Sequence, residues 1–329
     1  MRRTFVIGIL ARCLAGVVAG LFIGQAAAQP QGYPNKPIRF MVGFPAGSGT
    51  DTAARLVMAK LSERLGQPVI VDNRAGAGGA IGADAIANSA PDGYTIGFGT
   101  AGALAIVPHL RKVPYNPLTD IAPITMLANN PLVLVAHPSF PAQTVSELIA
   151  LAKAKPSTIV YGSTGTGSTM HLAGAMLNLT AGIKLVHAPY KGNAPAVNDL
   201  LGGQIPLAII DVSTAYGFVK QGRLKALGTT GAKRALAAPE IPTFGESGLQ
   251  GYSVLSWYGV IAPAGTPPAI IKVLNSHLVA ILEIADVRER LLASGPEPAS
   301  TTPEEFGNII KSEFTRWARV IKESGIVVQ

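Results

Sequence analysis

Pro37-Ile38-Arg39-Phe40-Met41-Val42-Gly43-Phe44 runs without a break into Pro45-Ala46-Gly47-Ser48-Gly49-Thr50-Asp51, and these fifteen residues decide the fold class. An apolar run of strand length ends in a glycine-rich turn. A helical segment follows, with Val57, Leu61 and Leu65 spaced by four on one face and Gly66 as its stop signal. Val69-Ile70-Val71 reads as a second strand. A turn through Gly76, Gly78 and Gly79 then opens a small-residue helix to Ala90, and residues 94–99 read as a third strand. Strand, turn and helix in repetition predict a parallel sheet with helices on its faces.

A second set begins after residues 132–137. Thr144-Val145-Ser146-Glu147 has the form of a capping box, in which Thr and Glu each satisfy the other's backbone amide. Strands are expected over 158–162, 185–187, 206–210 and 224–229, with helices over 144–155, 169–179 and 194–201. The tail is helical, with starts at Thr266-Pro267 and Thr302-Pro303-Glu304-Glu305, proline taking the first helical position. Its amphipathic faces, such as Ile270, Val273, Leu274 and Leu278, need a sheet, and the first set of strands is the one left half covered. The chain therefore reads as α/β and two-lobed, each lobe a mostly parallel sheet flanked by helices. Residues 29–131 plus 253–329 form lobe one and 132–252 lobe two, with crossings near 129–137 and 252–262. Two extended crossings make a hinge, and a cleft between lobes is where small molecules bind.

Of 329 residues 48% are hydrophobic and 14% charged, which excludes a disordered chain. The 37 glycines and 25 prolines have no period, which excludes collagen. Arg2 and Arg3, an apolar stretch, and Ala26-Ala27-Ala28 lay out a secretory signal peptide over residues 1–28, so a periplasmic location is expected. Arg12 shortens the unbroken apolar run to residues 13–24, too short for a retained anchor. Cys13, the sole cysteine, falls within this segment, which removes disulfide, zinc-thiolate and cysteine-nucleophile chemistry from the mature chain. Without Arg2, Arg3 and Arg12 the formal charge drops from +8 to +5, and the remaining basic residues are scattered with no aromatic interleaving. No nucleic-acid partner is expected.

Three turns share one design: residues 46–51, 100–104 and 163–168 each follow a strand, are rich in Gly, Ser and Thr, and lead into a helix. A helix N-terminus offers unpaired N–H groups and partial positive charge. Two such turns facing one another would hold a carboxylate at each end of a small molecule without an arginine. Asp51 fits an ordinary helix cap pointing away, or a ligand that also carries a donor. Asp211 at a strand end is open to the same readings: an ammonium partner, an ordered water or a cap. Catalytic templates are missing: no H-E-x-x-H, no G-x-S-x-G and no G-x-x-x-x-G-K-[ST]. Gly97-Phe98-Gly99-Thr100-Ala101-Gly102 matches G-x-G-x-x-G, but in the third strand unit rather than the first. No cofactor or metal is expected. His171 reads as a hydrogen-bonded positioning residue, Phe44 and Tyr190 as cleft walls, and Trp257 and Tyr258 as core or hinge packing.

Along the whole mature region the sequence resembles the Bug (TctC-like) family of extracytoplasmic solute-binding proteins of tripartite tricarboxylate transporters. The resemblance lies in Tyr33-Pro34-x-Lys36-Pro37-Ile38-Arg39, the 44–51 turn with Ala54-Arg55, Asn73-Arg74-x-Gly76-Ala77-x-Gly79 and Pro91-Asp92-Gly93-Tyr94-Thr95. It continues in Gly165-x-Gly167-Ser168-x-x-His171-Leu172, Pro189-Tyr190-Lys191-Gly192 and Asp199-Leu200-Leu201-Gly202-Gly203-Gln204. The last matching stretches are Trp257-Tyr258-Gly259 and Ala262-Pro263-Ala264-Gly265-Thr266-Pro267. It implies a type II periplasmic-binding-protein (Venus flytrap) fold that closes on a small carboxylate and delivers it to a membrane permease of a large and a small subunit. It carries ligand contact onto Phe44, Ala46, Gly47 and Ser48, then Thr100, Ser163, Thr164, Gly167, Ser168, His171 and Asp211, and Tyr190 joins them as a wall. Ser48 and Asn193 depart from glycines common in the family, which bears on the ligand more than on the fold. The expectation is a monomeric, non-catalytic binder of a dicarboxylate or aromatic carboxylate. The alternatives are a sensor presenting its closed form to a membrane histidine kinase and, behind it, a periplasmic enzyme.

Overall fold

A computed structural model describes residues 32–326, so the expected signal peptide lies outside the described residues. The first half of the chain gives β1 (Ile38–Val42), α1 (Gly49–Leu65), β2 (Val69–Asn73), a 3₁₀ turn (Ala77–Gly79), α2 (Ala80–Ala87) and β3 (Thr95–Thr100). A π turn (Gly102–Ile106), α3 (Val107–Leu110) and β4 (Ile121–Asn130) complete it. The middle gives β5 (Leu132–Ala136), α4 (Val145–Ala154), β6 (Val160–Ser163), α5 (Thr169–Ala181), β7 (Val186–Pro189), α6 (Asn193–Leu201), β8 (Leu207–Asp211), α7 (Val212–Lys220) and β9 (Lys225–Thr229). The return gives β10 (Ser256–Pro263), α8 (Pro268–Leu282), α9 (Ala285–Ser294), β11 (Glu297–Pro298) and α10 (Pro303–Ser324). Among the described residues no helix is long and apolar enough to cross a membrane.

Two sheets organise these elements, in the orders β11-β4-β10-β3-β1-β2 and β7-β6-β8-β5-β9. The α/β class is as expected, but both sheets are mixed. β2, β1 and β3 run parallel, as do β7, β6 and β8. β4, β10 and β11 are antiparallel additions to the first sheet, and β5 and β9 to the second. The reason is connectivity. β4 runs into β5 across Pro131 alone, and β10 brings the chain back, so β10 runs against β3 and β5 runs against β8. Thr230 links the two passages: its N–H donates to Leu132 O and its carbonyl accepts from Val254 N–H.

The sequence gives no strand signal over β4, where Pro123, Thr125, Asn129 and Asn130 break the alternation, although the strand is largely buried. β10 reads as a crossing and is instead a strand hydrogen-bonded on both sides. Helix starts follow the capping rules more closely. Thr302 and Glu305 form a full capping box at α10, which buries Phe306, Ile310, Trp317, Val320 and Ile321 along one stripe. At α4 the box is displaced: Thr144 accepts from Glu147 N–H, but the Glu147 carboxylate reaches Gln143 N–H, one residue earlier than expected. At α8 it is Pro268, not Pro267, that takes the first helical position.

Close backbone approach fixes α2 against β1. A methyl group added at Gly82 would lie 2.7 Å from Gly43 Cα and 2.9 Å from Gly43 N, and neither main-chain atom can move aside cheaply. Helix propensity alone favours Gly→Ala by about 1 kcal/mol. Gly82→Ala should nonetheless destabilise by about 1–3 kcal/mol through overpacking. Thermal unfolding would show a Tm lowered by several degrees, and an unchanged or raised Tm would contradict the packing.

Candidate functional site

Two turns, one feeding α1 and the other α5, are built on the same hydrogen-bond plan. In the first, Ser48 is the N-cap and its Oγ accepts from Asp51 N–H at 3.2 Å, while Asp51 Oδ2 accepts from Gly47 N–H at 2.8 Å. In the second, Ser168 Oγ accepts from His171 N–H at 3.2 Å and His171 Nδ1 accepts from Gly167 N–H at 3.1 Å. Gly47 (φ 81°) and Gly167 (φ 80°) both take the left-handed conformation that brings the chain into the cap. Intrahelical bonding starts only with Thr52 N–H to Ser48 O and Leu172 N–H to Ser168 O. The donors left over inside each first turn are therefore Gly49 and Thr50 in one, Thr169 and Met170 in the other.

Thr50, Thr169 and Met170 line a cavity of about 220 Å³ lying where strand ends of the two sheets meet. The rest of its described wall comprises Phe44, Gly78, Thr100, Gly102, Val107, Asn130, Thr164, Gly167, Ser168, Asp211, Ser256, Trp257 and Tyr258. Of the residues expected at the site, Phe44, Thr100, Thr164, Gly167, Ser168 and Asp211 stand on this wall. Ala46 and Gly47 are exposed, and neither they nor Ser48, the cap of α1, line this cavity. Ser163 is fully buried behind its loop, where its Oγ meets His187 Nε2 at 2.6 Å and Gly165 at 3.1–3.2 Å. Tyr190 packs its ring over Gly162 and donates its hydroxyl to Asp199 Oδ2 at 2.8 Å.

His171 turns its ring away from this wall, stacking on His187 at 3.8 Å and lining a second cavity of about 400 Å³ behind the loop. Burial holds His171 down at about 4. Burial and the neighbouring imidazole hold His187 down at about 3. Neutral His171 keeps the Nδ1 lone pair that Gly167 N–H needs, so its work is to shape the loop. Asp51 has the matching role at the other turn. Burial pushes its carboxyl up, but bonds from Arg55, Gly47 and Asn73 outweigh this and hold it below the ordinary value. It accepts from the Gly47 amide as a third-position residue; Ser48 is the cap. The G-x-G-x-x-G glycines are packing positions too: a methyl at Gly97 would lie 2.4 Å from Met41 O, and one at Gly99 2.5 Å from Leu104.

Asp211 caps α7 by position, yet its side chain makes no cap bond. Its two oxygens instead accept from Asn130 Nδ2 and Asn193 Nδ2, each at 2.5 Å. Burial raises its carboxyl to about 6 against the pull of those two amides. Trp257 and Tyr258 are buried as core packing requires, but they also stand on the cavity wall, and Trp257 Nε1 and Tyr258 Oη have no partner. Sequence reasoning missed the place of both aromatics on the wall, and missed Asn130 and Ser256 because β4 and β10 were not read as strands. The signal available for Thr50, Thr169 and Met170 was positional: each lies one or two residues after a serine cap. Among the described residues no group of three or more His, Cys, Asp or Glu side chains is placed to share a metal ion.

Two mixed sheets meeting at a small cavity, with helix N-termini turned to it, define a solute-binding receptor. The chain belongs to the tripartite tricarboxylate transporter family of receptors (TctC), which it matches over residues 53–326. It is similar to the periplasmic binding protein BugD, at 36% identity and TM-score 0.73 over 90% of this chain and all of that one. An R. palustris protein solved with adipate is 35% identical, with TM-score 0.76 over 90% of this chain and 99% of that one. MatC from Rhodopseudomonas palustris, solved with bound malate, is 31% identical, with TM-score 0.72 over 88% and 100%.

The serine cap and the histidine pair each give a measurable expectation. Ser168→Ala should lower stability by about 1 kcal/mol through loss of the cap, read from denaturant unfolding. Both imidazoles titrate lower in the folded chain than the ordinary 6.5. Their contribution is thus fully present above pH 6.5 and is lost as pH falls toward about 4 and about 3, because the unfolded chain takes up those protons first. The Tm difference between wild type and His187→Gln should therefore narrow between pH 7 and pH 4.5. A constant difference would remove the histidines from the acid response.

Proposed function

We propose that this protein captures a small dicarboxylic acid between two lobes, 29–131 plus 253–329 and 132–252, in the periplasm after removal of residues 1–28. It then delivers the acid to a membrane permease of the tripartite tricarboxylate type. The observation that carries this reading is that Thr50 of one helical first turn and Thr169 and Met170 of the other line one cavity. Helix N-termini favour anions through their first-turn N–H groups and their partial charge. A linear diacid has a carboxylate for each. At about 220 Å³ the cavity lies below the ~300–1,000 Å³ usual for drug-sized ligands, which suits a chain of about four to six carbons. The adipate and malate held by two relatives have that size and charge.

Binding here is reversible capture. Each lobe adds hydrogen bonds to the acid, so the ligand stabilises the closed arrangement by its differential affinity for it. Phe44, Val107 and Met170 supply the apolar wall for the methylene chain, and Thr50, Thr169 and Ser256 bring hydroxyls to the same wall. No step requires a nucleophile or general base.

Proline is tolerated at the first helical position because that N–H has no intrahelical partner. Thr169→Pro therefore deletes one proposed ligand donor while leaving α5 intact, and Ser168 already has the extended conformation that precedes proline (φ −73°, ψ 159°). Calorimetric titration with adipate and malate should show affinity at least tenfold weaker in Thr169→Pro, about 1.4 kcal/mol or more. Thr169→Ala, which keeps the amide, should lose much less. Wild-type affinity in a folded Thr169→Pro protein would take the α5 amides out of the site.

A further inference from the structure

Neutral polar groups surround the cavity: main-chain amides of the two first turns, and the hydroxyls of Thr50, Thr100, Thr164, Ser168, Thr169 and Ser256, which both donate and accept. Thr50, Thr169 and Met170 also carry main-chain N–H groups outside the intrahelical bonding, while Trp257 Nε1, the Tyr258 hydroxyl and Asn193 Oδ1 are buried with no partner among the described residues. Among the described residues of the wall there is no Lys, Arg or His. Asp211 is the one carboxylate among the described residues of the wall: buried, and able only to accept when ionised. It cannot turn aside, because Asn130 at the end of β4 and Asn193 at the start of α6 grip one oxygen each.

A diacid entering such a cavity brings its charges next to that of Asp211 with no cation between them. Carboxylates this close do not ionise together, and the stable arrangement is one proton held between two of them. We propose that Asp211 and a carboxylate of the bound acid share one proton, so that the receptor takes up a proton from solvent with each ligand and recognises a diacid as its monoanion. This rests on the reading that the cavity takes carboxylates. With the proton in place Asp211 donates a hydrogen bond to the ligand carboxylate instead of repelling it. An ammonium on the ligand would also satisfy Asp211, and titration with aspartate distinguishes that outcome from a shared proton.

The groups facing Asp211 leave it room to titrate. From β10 comes the Tyr258 hydroxyl, which burial and the nearby Asp211 charge keep protonated. From β4 and α6 come the neutral amides of Asn130 and Asn193. Burial has already raised the Asp211 carboxyl to about 6 before any ligand arrives, and a second carboxylate moves it further in the same direction.

The test is isothermal titration with adipate and with malate from pH 5.5 to 8.5, repeated in buffers of different ionisation enthalpy. Near pH 7.5 the wild type should take up close to one proton per ligand, and affinity should fall roughly tenfold per pH unit between pH 7 and 8.5. Asp211→Asn should bind without proton uptake and with an affinity flat across that range. Wild-type binding with no proton uptake overturns the shared proton and leaves the carboxylate reading intact. If aspartate binds the wild type without proton uptake and Asp211→Asn abolishes that binding, Asp211 holds a cation instead, and the proposal also fails. No heat from either acid, or from any other three- to eight-carbon mono- or dicarboxylate, at any pH overturns both readings together.

Discussion

Every α-helix begins with N–H groups that its own backbone cannot satisfy, and in this protein the first turns of two helices line one cavity. Serine caps at positions 48 and 168 each take one orphan amide, and the third-position side chains, Asp51 and His171, take back the amide preceding the cap. What remains is a fixed pair of donors in each first turn. The arrangement stays rigid because the reach-back residues are themselves held, Asp51 by Arg55 and Asn73, and His171 by its stack on His187. The chemistry of the third-position residue differs between the two turns while its geometric task is the same.

A wall of neutral polar groups suits capture and release better than a salt bridge would. Buried ion pairs carry a large desolvation cost and are hard to part, whereas amide and hydroxyl donors give direction without a counter-charge. The same choice makes one buried acid conspicuous. Asp211 lies where β8 meets the passage from β4 to β5, and its bond to Asn130 ties the second sheet to the last residue of a strand in the first. It therefore feels both the ligand space and the linkage between the sheets. Trp257 and Tyr258 have a comparable double position, packed on Phe306 and Phe98 while their polar atoms stay unmatched beside the cavity.

Much of the architecture was legible because it is written in local patterns. The β-turn-α units from Ile38 to Thr100 and from Val160 to Asp211 follow from apolar runs, spaced leucines and valines, and glycine stops such as Gly66, which adopts the left-handed cap. Half of the expected site residues also stand on the cavity wall. The rest show why a glycine-rich turn is ambiguous: it marks residues near a possible ligand but not which of them already have partners. Gly47, Ser48, Ser163 and His171 have internal partners, so their polar groups hold the turn together.

Sequence alone thus determined the family, the α/β class, the helix starts and the two turns, since each depends on residues within about one helical turn of one another. Tertiary structure alone decided that β4 and β10 are strands, since their pairing comes from neighbours far along the chain and their own residues carry no period. It alone decided that Asn130, Trp257 and Tyr258 join Asp211 around the cavity, and that His171 faces away. Hydrogen bonds are saturable, and whether a donor remains free is known only once every competing acceptor has been brought into place.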